Sequence, residues 1–183
     1  QTLLKFIGPP LQESFMAYCG YDTETAARGV EVFRERYEPV GQYENQPAPG
    51  LRELLARLKE RGYTLALASS KPEKLCLSIC ERFGFTQSLQ TIVGSPIGAD
   101  WQKADVIREV MRRLGLTEAD KPSMLMVGDR NDDMRGAADC GLDAAGALYG
   151  YGSREELEPF GPVLLAESCE ELTDKLLACR ANG

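Results

Sequence analysis

From Leu51 onward the chain alternates charged amphipathic stretches with short apolar runs and has no internal repeat. Leu51 to Glu60 reads as a helix ending before Gly62, and Thr64-Leu-Ala-Leu-Ala68 follows as a strand. Pro72 to Phe83 is helical and stops at Gly84, Thr91-Ile-Val93 is a short strand, and Lys103 to Leu114 is a helix closed by Gly115. Met124-Leu-Met-Val127 reads as a buried strand, Met134 to Cys140 as a helix and Ala144 to Leu148 as another strand. Short apolar strands alternating with amphipathic helices imply an α/β fold, a parallel sheet with right-handed crossovers and helices on both faces.

Residues 1–46 follow a different pattern. Pro9 and Pro10 come after Gly8, and Leu11 to Cys19 then runs as a helix that Gly20 stops. Asp22 or Thr23 caps a second helix with the apolar stripe Ala26, Val30, Phe33 and Tyr37, which reads as packing. Gln42 to Gly50, with Pro47 and Pro49, is loop-like and divides the chain into residues 1–46 and 47–183.

Composition narrows the chemistry. Histidine is absent from the 183 residues, which removes Ser-His-Asp and Cys-His catalysis, His-ligated zinc and any His general base. Twenty-one Lys and Arg against 28 Asp and Glu leave a net charge of −7, which argues against a nucleic-acid polymer or an anionic membrane as the main partner. No apolar run approaches the roughly 18–20 residues of a membrane span. Cys19, Cys76, Cys80, Cys140, Cys169 and Cys179 include no CxxC pair and read as small buried hydrophobes of a reducing, cytoplasmic compartment.

In open parallel sheets ligands bind beyond the carboxyl ends of the strands. The first strand leads into Ser69-Ser70-Lys71-Pro72, and the second into Gly94-Ser95-Pro96 with Lys103 further on. The third leads into Gly128-Asp129-Arg130-Asn131-Asp132-Asp133, and the fourth into Tyr149-Gly150-Tyr151-Gly152-Ser153. Hydroxyls, lysines and carboxylates therefore gather at one edge. Ser69 and Ser70 at a strand-to-helix turn suit a phosphate oxygen, although serine in that place also serves as a plain cap. Lys103 and Lys71 are cations available to neutralise phosphate or an acidic cluster. Asp129, first off its strand, suits a hard cation such as Mg²⁺, with Asp133 behind it and Asp132 facing solvent or capping the next helix.

The order strand–Ser69, Lys103, strand–Gly128-Asp129 and Asp133 resembles the haloacid dehalogenase-like hydrolases from their second motif to their fourth. Phe6-Ile-Gly-Pro-Pro10, Phe33-Arg-Glu-Arg-Tyr37, Ala48-Pro49-Gly50, Ser70-Lys71-Pro72, Val127-Gly-Asp-Arg130 and Tyr149-Gly-Tyr-Gly152 look like the phosphoglycolate-phosphatase-like branch. The resemblance implies a Rossmann-like core over residues 47–183 and a mobile helical cap over residues 1–46, with Gly8 to Leu11 and Arg34 to Tyr37 as cap contacts. It implies Mg²⁺-dependent phosphomonoester hydrolysis through an aspartyl-phosphate, with a small phosphorylated metabolite as substrate. In those roles Ser69, Ser70, Lys71 and Lys103 would bind phosphate, Asp129 would hold the metal and Asp133 would support it.

One departure accompanies the match. The family begins with an apolar strand ending in Asp-x-Asp, which supplies the nucleophile and the general acid/base, and no such segment stands here. Asp22-Thr-Glu-Thr25 follows Cys-Gly-Tyr and leads into a helix, so it reads as a cap. With Gln1 at the front, the expectation is a fragment of a longer protein lacking its central nucleophile strand, and hence inactive by itself. A 5′-nucleotidase or a sugar-phosphate mutase of the same superfamily shares this edge chemistry. A receiver-like signalling module has no place for 46 helical residues ahead of its sheet, and a non-catalytic phosphate-binding protein is the reading if the chain is complete.

Overall fold

The computed structural model describes residues 5–7 and 9–180, the side chains of residues 179 and 180 excepted. Gln1, Gly8 and the Cys179 side chain lie outside the described residues. The chain forms two compact units, Gln1–Gln46 and Pro47–Gly183.

In the first unit, α1 (Leu11–Cys19) ends at Gly20 in a left-handed conformation, φ +70°. The second helix, α2 (Thr23–Tyr37), begins where the Asp22 carboxylate accepts the Thr25 amide at 2.8 Å. The helices meet where the Phe15 ring lies against Gly29, and Phe15 continues into ring contacts with Phe6 and Tyr21. The α2 stripe is only partly buried. Ala26 is fully enclosed, but Phe33 is 43% exposed and stacks on Tyr37 along the surface.

The second unit alternates as its sequence suggests: α3 (Leu51–Glu60), β1 (Ala66–Pro72), α4 (Glu73–Phe83), β2 (Thr91–Ser95), α5 (Lys103–Leu114), β3 (Leu125–Gly128) and α6 (Asn131–Asp139). Then come β4 (Asp143–Ala147), a one-turn α7 (Arg154–Leu157), β5 (Leu164–Ala166) and α8 (Cys169–Arg180). All pairings are parallel. The expected single sheet is, among the described residues, two: β1 with β2, and β3-β4-β5. No ladder joins β1 to β3.

Side chains hold these two sheets to common helices. Ala68 of β1 and Met126 of β3 both pack on the cluster of Ala104, Ile107, Met111 and Cys140 from α5 and the end of α6. Leu125, one residue from Met126 and hence on the opposite face of β3, packs with Leu54 and Leu58 of α3 and Leu172 and Leu176 of α8. Helices therefore cover both faces.

Several boundaries differ from expectation. The first strand extends through Ser69-Ser70-Lys71 to Pro72, because backbone pairing with β2 continues to Pro72↔Ser95 across a register irregularity. Pro72 precedes α4 instead of starting it, since ψ 132° keeps it extended. The sixth helix starts at Asn131, three residues ahead of Met134, and β3 is not a buried strand, Val127 being 38% exposed. Cys19 is exposed, whereas Cys76, Cys80, Cys140 and Cys169 are buried, and burial pushes those four thiols above their ordinary pKa.

Truncating buried Leu172 to Ala is expected to cost about 2–5 kcal/mol in urea unfolding. Truncating exposed Val163 to Ala should cost within about 0.5 kcal/mol. Equal losses would mean that α8 is not seated on β4 and β5.

Candidate active site

The loop between β3 and α6 is folded around the Asp133 carboxylate. One oxygen, Oδ2, accepts the backbone amides of Asp129 at 3.0 Å and Arg130 at 3.1 Å. This brings the carboxylate against the strand end, and a Cβ on Gly128 would lie 2.1 Å from the Asp133 Cβ. Only glycine fits there. The other oxygen, Oδ1, meets the Lys103 ammonium at 2.8 Å, with the two side chains 12% and 10% exposed. That ammonium also donates to the Ala68 carbonyl of β1 at 3.2 Å. An ion pair taken out of water is tolerated when further hydrogen bonds satisfy it, and both partners have them here.

The three aspartates thus separate by what they already hold. Asp133 has both oxygens engaged. Asp132 pairs with Arg135 on the first turn of α6. Asp129 accepts the Tyr151 amide at 2.7 Å through Oδ2, and its Oδ1 takes no hydrogen bond or ion pair among the described residues. A hard cation prefers such an oxygen and keeps several waters, using one or two protein carboxylates. Asp129 fits that requirement and Asp133 does not. Among the described residues no group of three or more His, Cys, Asp or Glu converges on a metal position, so Asp129 alone would leave most of the coordination to water and substrate oxygens.

Ser69, Ser70 and Lys71 lie on β1 itself, so the expected helix-cap geometry is absent. The Ser69 hydroxyl accepts the Lys71 amide at 3.2 Å, a local turn at the register irregularity. Its hydrogen bond with Cys76 draws that thiol's raised pKa part of the way back down. All three residues are half-buried. Ser69 directly follows Ala68, whose carbonyl Lys103 holds, so the structure brings Ser69, Lys103, Asp133 and Asp129 into one chain of contacts. A second tie steadies the next strand end. Arg113 binds Glu73 at 2.8 Å and the Ile92 carbonyl at 3.2 Å, and Glu73 accepts the Gly94 amide at 3.3 Å.

The sequence reading placed Tyr151 at the strand edge without a role and missed Glu156. The Tyr151 amide and the Glu156 carboxylate both reach the acidic loop from the segment after β4. A signal was present in Ser153-Arg-Glu-Glu156, the Ser-x-x-Glu pattern of a helix start. Half of it behaves as the pattern predicts, the Ser153 hydroxyl accepting the Glu156 amide at 3.3 Å, while the Glu156 carboxylate turns to another loop.

The family model for haloacid dehalogenase-like hydrolases matches residues 1–147. The chain belongs to that family. Among curated relatives, a 5′-nucleotidase of Pseudomonas aeruginosa is 39% identical over 158 residues, 86% of this chain and 70% of that protein. The tyrosine-protein kinase PtkA of Mycobacterium tuberculosis is 32% identical, covering 93% of this chain and 58% of its own length. A phosphoglycolate phosphatase of Vibrio parahaemolyticus is 27% identical, covering 92% and 73%. In three dimensions the chain superimposes on the crystal structure of a predicted phosphatase from Clostridium acetobutylicum with a TM-score of 0.91 at 37% identity, covering 97% of this chain and 81% of that one. The haloacid dehalogenase-like fold is thereby shown, and 5′-nucleotidase and phosphoglycolate phosphatase are both names that its relatives carry.

Lys103→Met leaves the Asp133 carboxylate buried with one oxygen unpaired and should cost about 3–5 kcal/mol in chemical denaturation at neutral pH. With Asp133→Asn in a double-mutant cycle, a coupling of about 0.5–3 kcal/mol is expected. Additive losses would mean that the pair does not form in solution.

Proposed function

We propose that the intact protein is a Mg²⁺-dependent phosphomonoester hydrolase, phosphoglycolate-phosphatase-like, acting on a small phosphorylated metabolite through an aspartyl-phosphate. The observation that carries the reading is the Lys103 ammonium, held by Asp133 beside Ser69 and two contacts away from Asp129. A fixed cation next to a hydroxyl suits the equatorial oxygens of a transferring phosphoryl group, and a free carboxylate oxygen beside it suits a divalent ion. Ser69 and Lys103, with Ser70 and Lys71 at the same strand end, are the phosphate-binding set. Asp129 would hold Mg²⁺, which when bound neutralises phosphate charge. The helical unit of residues 1–46 is read as the cap of such an enzyme. Four buried thiols without a disulfide support a reducing, cytoplasmic setting.

Covalent hydrolysis requires a carboxylate free to attack phosphorus. Asp133 is spent on Lys103 and two amides, Asp132 lies on Arg135, and Asp129 is assigned to the metal. The family resemblance implies an Asp-x-Asp strand that supplies the nucleophile and the general acid/base, and we place it against the open edges of β1 and β3. Residues 1–183 alone are expected to show no turnover. A 5′-nucleotidase is the second reading, favoured by the 39% identity to the Pseudomonas relative. A sugar-phosphate mutase would use the same edge and differ in its product.

The test is phosphate release by the protein with such a strand in place, from phosphoglycolate, nucleoside 5′-monophosphates and sugar phosphates, with Mg²⁺ and again with EDTA. Release should require Mg²⁺, and Asp129→Asn should lower kcat/KM on the order of 10²-fold or more, the scale of losing one preorganised electrostatic group. An isomerised sugar phosphate without free phosphate would select the mutase. No Mg²⁺-dependent release from any phosphomonoester would overturn the phosphatase reading. Robust turnover by residues 1–183 alone, abolished by Asp129→Asn, would show that the nucleophile lies within them.

A further inference from the structure

We infer that the segment Tyr149–Glu156 is a positioning device for Asp129, with the Tyr151 amide and the Glu156 carboxylate as its two working groups. The inference rests on Asp129 being the cation ligand, the reading given above.

A lone aspartate on a loop has two free side-chain torsions, and a cation site built on it loses affinity for each rotamer it must select. Here one torsional freedom is removed by a short charge-assisted bond, Tyr151 N–H to Oδ2 at 2.7 Å. The Tyr151 side chain is 61% exposed, so what this residue supplies to the site is its backbone. The chain can pass so close only because Gly150 precedes it: a Cβ there would lie 2.3 Å from both Cβ and Oδ2 of Asp129. Gly152 follows under the same restriction, its added Cβ falling 2.0 Å from the Asp129 carbonyl oxygen. The two glycines therefore lay the segment across Asp129 on its side-chain and carbonyl sides at once.

The second group acts on the neighbouring residues. Glu156 Oε1 accepts the Asn131 amide at 2.9 Å and the Arg130 Nε–H at 2.9 Å. With Asp133 already on the amides of Asp129 and Arg130, three successive backbone donors are all claimed by carboxylates. The amides of residues 129–131 are thereby held in place and closed to an anion. Of the Asp129 carboxylate, Oδ1 takes no hydrogen bond among the described residues. Groups of this kind, which orient a metal ligand without touching the metal, typically change affinity about 10–100-fold when removed.

The experiment is Mn²⁺ binding to the full chain, read by water-proton relaxation as a paramagnetic stand-in for Mg²⁺, with inorganic phosphate present. Wild type should bind saturably and Asp129→Asn should not. Glu156→Ala and Gly150→Ala should each weaken binding about 10–100-fold, and Glu156→Gln, which keeps an acceptor for Asn131 but loses the charge facing Arg130, should fall between. Far-UV circular dichroism and cooperative melting report whether each variant is folded, and should Glu156→Ala fail there, Glu156→Gln carries the comparison. Glu155→Gln, the same charge change on a neighbouring exposed residue, should bind as wild type does. Folded Glu156 and Gly150 variants with wild-type Mn²⁺ affinity would overturn the inference while leaving Asp129 as the ligand. A wild-type chain whose Mn²⁺ binding ignores Asp129→Asn would overturn both.

Discussion

The Lys103 ammonium is the contact on which the rest of this structure depends. It sits at the first turn of α5, where the helix dipole disfavours a cation, and it is nearly enclosed. Both penalties are offset by two partners on different elements, the Asp133 carboxylate of α6 and the Ala68 carbonyl of β1. Asp133 in turn holds two amides of the loop that carries Asp129. One charge thus fixes the relative places of a hydroxyl-bearing strand end and an acidic loop that no backbone ladder joins. The apolar cluster of α5 and α6, on which Ala68 and Met126 both rest, supplies the attraction but no direction. Lys103 supplies the direction.

The two sheets show where ordinary parallel-sheet physics stops applying. Strands β2 and β4 carry fully buried central residues, as parallel strands between helices should. Strands β1 and β3, which face neither of those partners on their second edge, contain no fully buried residue, and Val127 in β3 is exposed. In an α/β sheet the reverse order is expected, the outermost strands being the wetter ones. Open edges with half-covered side chains are also where a sheet accepts another strand.

What the sequence made legible follows from how local each signal is. The α5 boundaries, Lys103 to Leu114 with Gly115 beyond, were readable because a helical period and a left-handed glycine act over a few residues. The placement of Asp129 just outside β3 was readable for the same reason. The start of β1 was misplaced and its end missed, because Ser69-Ser70-Lys71-Pro72 resembles a helix entry, while pairing to Ser95 of β2 keeps it extended. That pairing is a tertiary fact with no local trace. The same holds for β5 and α8, whose weakly patterned sequences gain their definition from packing on β4 and α3. Glu156 shows the limit most clearly: its Ser-x-x-Glu pattern was visible, but the loop its carboxylate would hold lies 25 residues away along the chain.

Counting donors and acceptors separates the site into two halves of opposite character. A helix start normally offers free amides to an anion, and the loop entering α6 carries three such donors at residues 129–131. Those amides are closed by Asp133 and Glu156, so the helix dipole there stabilises the protein's own carboxylates and leaves a net negative pole around Asp129. On the β1 side the balance is reversed, since Lys103 has its ammonium beside the Ser69 strand end. A phosphomonoester carries charge that such an ammonium can meet, and a divalent ion is what allows the same phosphate to approach a carboxylate without repulsion. On the function proposed above, both halves would be used at once. Among the described residues the acidic half offers the Asp129 Oδ1, while the amides of residues 129–131 are already taken.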